Sequence, residues 1–223
     1  LEGLVAMKIR TMKFVDETFG PIFCLFLSVY NKIIKIFQKR RQINPQDIKR
    51  ILIIKFFGMG SIILAAPLLR ALRAKFPHAR IIIMTFSGNL ELCRHIDLID
   101  EVVVVDPSSA VKFIKSIFHA IVYLRKEKCD ISLDLEFFAK SSTIVQYLCA
   151  APVRVGYYIM QQGILLRMLW RGNLLTHNVY YNPHRHVSDV FLALGRIIGA
   201  DCSDMRPAHI TVEDGDRSKL DNI

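Results

Sequence analysis

The 223-residue chain has no Cys-x-x-Cys pair, no Gly-Lys-Ser/Thr phosphate loop and no arginine-rich stripe interleaved with aromatic residues. Each absence removes a class of protein. Five widely spaced cysteines, Cys24, Cys93, Cys129, Cys149 and Cys202, are odd in number and form neither a disulfide framework nor a zinc ribbon. Several lie in apolar runs, where free cysteine behaves as a small buried hydrophobe, and a reducing cytosolic compartment fits this usage. Nucleic acid is disfavoured as a partner, because the basic residues do not cluster on a recognisable binding motif. The uncharged stretch from Phe19 to Val29 (FGPIFCLFLSV) is far shorter than the roughly 20 residues of a bilayer-spanning helix, and no small-residue cleavage site follows it.

What is abundant is positive charge. Thirty Lys and Arg against twenty Asp and Glu leave a formal charge of +10, which favours anionic partners of some kind. The excess is concentrated before Ile51. Lys8, Arg10 and Lys13 precede the apolar stretch, and Lys32, Lys35, Lys39, Arg40 and Arg41 follow it. Ile33, Ile34, Ile36 and Phe37 interleave with those lysines, a pattern that predicts a helix with a greasy side and a basic side lying among anionic lipid headgroups. The alternative is a helix packed on the protein's own surface. Gln42 to Gln46, with Pro45, reads as the linker out of this segment.

From Ile48 the pattern changes to alternating buried strands and helices. RILIIKFF (Arg50 to Phe57), RIIIMTF (Arg80 to Phe86), EVVVV (Glu101 to Val105), CDISLDL (Cys129 to Leu135) and Val153 to Tyr157 are short apolar runs of the kind that helices cover on both faces. Between them, helices are predicted over Ser61 to Lys75, Leu90 to His95, Ser108 to Lys126 and Ser141 to Ala150. Leu174 to Tyr181 reads as a further strand or an extended loop, and His186 to Ile198 as a helix closed by Gly199. Such alternation predicts an α/β fold, a Rossmann-like doubly wound parallel sheet. The expected organisation is residues 1–47 as a membrane-associating helical segment and linker, 48–205 as the Rossmann-like domain, and 206–223 as the start of a crossing into a second domain. A first residue Leu1 and a tail ending without a cap or strand lead us to expect a chain cut at both ends.

In open α/β sheets ligands bind beyond the carboxyl ends of the strands. The first strand ends in Gly58-Met59-Gly60-Ser61, where glycines would let backbone N–H groups approach an anion at a helix N-terminus and Ser61 would be the N-cap. The dinucleotide fingerprint would need a glycine where Ile63 stands. The turn is thus either a plain strand-to-helix connection or a ligand-binding one.

ILIIKFFGMGSIILAAPLLRALRAKFPHARI resembles the opening of glycosyltransferase family 9, the ADP-heptose:lipopolysaccharide heptosyltransferases and their relatives, with Gly60, Pro67, Leu72, Phe76 and Pro77 in place. IDLIDEVVVVD, CDISLDLEFFAKSS, APVRVGY and HVSDVFLALGRIIGAD resemble later segments of that family in the same order. The resemblance covers Ile48 to Asp201. It implies the N-terminal, acceptor-side half of a GT-B enzyme, and an inverting transfer of a heptose or other sugar from a nucleotide-sugar co-substrate to a lipid-linked saccharide. It also implies no bound cofactor or metal, a donor half absent from this chain, a fragment inactive alone, and a cytoplasmic place on the inner face of the bacterial membrane.

The family carries aspartate at the position of Ser61, and the resemblance implies that this aspartate is the base that deprotonates the acceptor. A serine hydroxyl is not ionised near neutrality and cannot replace it unaided. Asp134 and Glu136, at the end of the fourth strand, are the candidate substitute bases, with Glu136 also an acceptor-binding group; the alternative for each is a satisfied strand-end carboxylate. Gly58, Gly60, Ser61, Lys140, Arg154 and His184 complete the expected acceptor set. Lys140 begins a helix where it and the helix N-terminus could share an anion, or it is a solvated lysine. Arg154 is either an acceptor contact or a structural ion pair. His184-Arg185-His186 has the spacing of no firm metal site. Gly163 to Arg171, with Trp170, reads as an amphipathic or core-packing excursion. A non-catalytic membrane-associated α/β binding module related to these enzymes is the competing reading.

Overall fold

The computed structural model describes residues 2–37, 47–137, 139–158, 171 and 174–206, with the side chains of the first helix described from 14 to 33. Among the described residues there are six strands, β1 (Arg50–Ile54), β2 (Arg80–Phe86), β3 (Glu101–Val105), β4 (Ile131–Asp134), β5 (Val153–Tyr158) and β6 (His177–Tyr180). They form one parallel sheet in the order β3-β2-β1-β4-β5-β6. The chain winds outward through β2 and β3, returns to place β4 beside β1, and winds outward the other way. The reversal between β1 and β4 is the point where such sheets open a crevice at their carboxyl edge.

The helices are α1 (Glu2–Phe37), α2 (Met59–Leu64), α3 (Ala66–Lys75), α4 (Leu90–Arg94), α5 (Ala110–Glu127), α6 (Lys140–Leu148) and α7 (Val187–Ile197). Side chains of a strand alternate between faces, and the register Ile51↔Ile81 and Ile53↔Ile83 sends one set toward α3 and α7. There Leu68, Leu72, Phe191 and Leu194 bury completely. The opposite set, Leu52, Ile54, Ile82 and Met84, meets Ala120 and Leu124 of α5 and Val145 of α6. Each fully buried side chain of this kind contributes about 1.5–3 kcal/mol, so these two clusters hold the sheet between its layers.

The predicted strands are all present, and the stretch left open at Leu174 to Tyr181 forms β6, paired with β5. The single helix predicted over Ser61 to Lys75 is instead two. Pro67 has no N–H to continue the ladder and sits in the first turn of α3, while the Ala65 N–H bonds the Ile62 carbonyl at 3.1 Å. Helix α1 is a single 36-residue helix containing Pro21. It lies on α6, burying Gly20, Cys24, Ser28 and Asn31. Trp170 and most of the Gly163 to Arg171 segment, the Gln42 to Gln46 linker and residues 207–223 lie outside the described residues.

Candidate functional site

The glycine turn forms in a way the N-cap reading of Ser61 does not anticipate. Gly58 is the N-cap of α2, with φ +84°, a backbone conformation that costs a side-chain-bearing residue about a kcal/mol or more. A Cβ there would also meet the Ser61 hydroxyl at 2.7 Å. Ser61 is consequently the third residue of the helix, and its hydroxyl donates backward to the Gly58 carbonyl at 2.7 Å and the Phe57 carbonyl at 3.2 Å. Gly58, Met59 and Gly60 are exposed, and a Cβ at Gly60 would meet nothing within 4 Å.

The strand end leading into this turn is clamped from β4. Oε1 of Glu136 accepts from the Phe56 N–H at 2.8 Å, the Phe57 N–H at 3.0 Å and the Lys55 ammonium at 3.2 Å. Across β2, the Asn89 amide donates to the Phe56 carbonyl at 2.9 Å and to Thr85 at 2.8 Å. The turn's approach is thereby fixed on both sides by buried groups. Lys55 also lies 5.6 Å from the centre of the Phe137 ring.

Behind Glu136 stands a second buried pair. Asp134, fully buried, accepts from Ser142 at 2.8 Å, from Thr143 at 3.0 Å, from the Arg171 guanidinium at 3.3 Å and from the Glu136 N–H at 3.0 Å. Arg171 also donates to the Glu136 carbonyl. Burial pushes the Asp134 carboxyl up, opposed by the Arg171 charge and the Ser142 hydrogen bond. Two carboxylates and two cations are thus removed from water together. Such an assembly persists when charges balance and hydrogen bonds are made; here the charges balance, and of its side-chain polar atoms the Arg171 Nε is left without a partner among the described residues.

The structure brings Gly58, Gly60, Ser61, Asp134 and Glu136 together at the carboxyl edge, and His184 reaches the same edge two strands away, in the turn after β6. The His184 backbone N–H donates to the Asn182 side chain at 2.9 Å while its ring is exposed; His186 caps α7 by accepting from the Ser188 N–H. Lys140 is buried beneath α1, and the helix N-terminus it opens is already filled. The Asp16 carboxylate accepts from the Lys140 N–H at 2.9 Å and the Ser141 N–H at 2.6 Å. Arg154 is not brought to this edge. It is the second residue of β5, at the opposite end of the sheet, where it donates to the Leu174 and Ala151 carbonyls at 2.6 Å each and lies 5.2 Å from the Tyr147 ring.

Lys55, Arg171, Asn89 and Asp16 were not among the residues expected here. Lys55 carried a signal, a lone charge inside the apolar run ILIIKFF. Asn89, Asp16 and Arg171 act across long sequence separations and carried none. A concavity of about 320 Å3 beside β3, lined by Cys93, Arg94, Asp100 and Glu101 among others, is two strands removed from β1. Its charged groups are already paired, as in Asp100 with Arg73 and Glu101 with Arg80.

A parallel sheet in this order, with a glycine turn at its reversal, defines a Rossmann-like doubly wound fold. Neither protein-family models nor curated proteins match the sequence. Solved structures do match in fold. A glycosyl transferase family 9 protein from Veillonella parvula superimposes with a TM-score of 0.64 at 21% identity, over 80% of this chain and 49% of that one. E. coli ADP-heptose LPS heptosyltransferase II gives 0.58 at 18% identity over 78% and 50%, and E. coli heptosyltransferase WaaC, solved with ADP, 0.56 at 17% over 71% and 50%. The likeness is one of fold, and the chain spans about half the length of each of these structures.

Proposed function

We propose that the chain is the acceptor-side half of a GT-B glycosyltransferase that moves a heptose or related sugar from a nucleotide-sugar to a lipid-linked or lipopolysaccharide-type saccharide. Residues 48–205 are the acceptor domain in this reading, and the polypeptide works as a peripheral protein on the cytoplasmic side of a membrane. The observation that carries it is the superposition of 71–80% of this chain on about half of each of three sugar transferases. The acceptor hydroxyl would approach Gly58, Gly60 and Ser61, next to the Phe56 and Phe57 N–H groups that Glu136 holds, and attack the anomeric carbon as the nucleoside diphosphate leaves toward the second half, its proton passing to a general base. Asp134 and Arg171 position that edge. In the full reading frame, a second Rossmann-like half with a glycine-rich loop is expected beyond Ile223. Full-length protein given ADP-heptose and a lipopolysaccharide-type acceptor should release ADP. A complete gene without that half, or no transfer from any nucleotide-sugar, overturns the proposal.

One observation favours a second reading, a non-catalytic binding module. The Ser61 hydroxyl donates to backbone carbonyls, and Asp134 and Glu136 are both buried and engaged. Ser61→Asp in the full-length protein separates the two. A carboxylate turned outward from that position should raise sugar transfer if a base is what the turn lacks, while absence of transfer both with and without it supports the module.

A further inference from the structure

We infer that α1 and α5 together form a docking surface for an anionic lipid bilayer. This specifies the surface behind the peripheral placement proposed above, and it is independent of sugar transfer. Helix α1 meets the rest of the chain through its small and polar side. Cys24 is fully buried, whereas Ile33, nine residues on and so half a turn around the helix, is exposed. The outward arc carries Phe19, Ile22, Phe23, Phe26, Val29 and Ile33, with Ile22 63% and Phe26 69% exposed. Glu17 projects from the side opposite Phe26.

Helix α5 repeats the arrangement. Val111, Ile114, Phe118 and Val122 recur at helical spacing and are exposed, Val111 by 76% and Phe118 by 62%. Helix α6 packs against both α1 and α5, so the two apolar stripes flank it on one side of the sheet. Both begin at the carboxyl edge. Asp16 caps α6 there, and Val111 and Ile114 lie in the first turns of α5, near the end where β3 delivers the chain.

Contiguous exposed apolar surface marks an interaction site, and charge selects its occupant. Lys112 and Lys115 are exposed beside the α5 stripe, Lys32 beside the α1 arc, and Lys8, Arg10 and Lys13 precede it in the same helix. A second copy, itself at +10, would set like charges against each other, whereas anionic headgroups complement them. No described helix is long and apolar enough to cross a membrane. A surface lying on the bilayer is what two such stripes can form.

The test is co-sedimentation of the 223-residue chain with phosphatidylcholine vesicles, with and without phosphatidylglycerol. Binding should be about tenfold or more tighter with phosphatidylglycerol and should weaken with salt. Ile22→Glu/Phe26→Glu should lower it about tenfold or more, and Ile114→Glu/Phe118→Glu severalfold, with circular dichroism and melting unchanged, since all four side chains are exposed. No binding to anionic vesicles, or undiminished binding by either double variant, overturns the two-helix surface. A lipid-free dimer that the α1 variant dissociates assigns that face to a second copy instead. Loss of vesicle binding with transfer retained, or the reverse, keeps this inference separable from the enzymatic one. Should Ile22→Glu/Phe26→Glu fail to fold, Lys112→Glu/Lys115→Glu gives the same readout through charge, and undiminished binding by that variant overturns the inference equally.

Discussion

On one face of the sheet α3 and α7 close over Ile51, Ile53, Ile81 and Ile83 with apolar side chains, whereas on the other α6 meets β4 and β5 through Ser142, Thr143 and Gln146. Gln146 donates to the carbonyls of Ser132 and Val155 at 2.9 and 3.0 Å, and with the pairs around Asp134 and Glu136 it adds a buried polar layer beside the apolar cluster of Leu52, Ile54 and Val145. The difference teaches where stability and where placement come from. Apolar burial is non-directional and tolerates adjustment. Buried charge pairs contribute little net stability but allow few arrangements, and here they hold the strand end that leads to the glycine turn. The face with the buried polar layer then carries two helices whose outward sides remain apolar.

Several substitutions would break or sharpen that contrast. Arg171→Met leaves Asp134 buried beside Glu136 without its cation and should destabilise the fold by about 3–5 kcal/mol in urea denaturation; a smaller loss would mean the polar face is more forgiving than its geometry implies. Leu72→Ala, on the apolar face, should cost about 2–5 kcal/mol. Alkaline pH probes both faces at once. Burial pushes the thiols of Cys24, Cys129 and Cys149 up to about 12, and that of Cys93 to about 11, from an ordinary 9.0. Between those limits the folded chain binds more protons than the unfolded one, so stability should fall as pH rises from about 9 toward 12, which melting temperatures across that range would report. Asp16→Ala removes the cap that joins α1 to α6 and should cost about 0.5–2 kcal/mol, with faster alkylation of Cys24 as the local signal. Phe118→Ala on the exposed stripe of α5 should change stability by less than about 0.5 kcal/mol.

The sheet was legible because parallel strands covered on both faces are nearly continuous apolar runs, and five such runs separated by helical spacing leave few alternatives. Helix boundaries near the turn were less so. Ser61 has the chemistry of an N-cap, but a positive φ at Gly58 places the cap three residues earlier, and composition does not encode which residue takes that conformation. The docked side of α1 was not legible. The expected greasy and basic sides of Ile33 to Arg41 fall mostly on residues outside those described, and Gly20, Cys24 and Ser28, which read as part of an apolar run, form the docked side. Gly20 is needed there, since a Cβ would meet the Lys140 side chain at 2.9 Å. The engagement of Asp134 and Glu136 by Lys55 and Arg171 was hidden because each contact joins residues tens of positions apart.

That separation has a kinetic consequence. The bonds from Lys55, Phe56 and Phe57 to Glu136 span about eighty residues, 79 to 81 in each case. Loop closure of that length must precede any reward from the contact, so when β1, α2 and β2 first emerge and pair the glycine turn has only its local bonds and the Asn89 clamp. It becomes rigid only once β4 has threaded into place beside β1. A nascent chain lacking β4 would carry the turn without the Glu136 clamp, and the last strand to join the centre of the sheet is the one that supplies it.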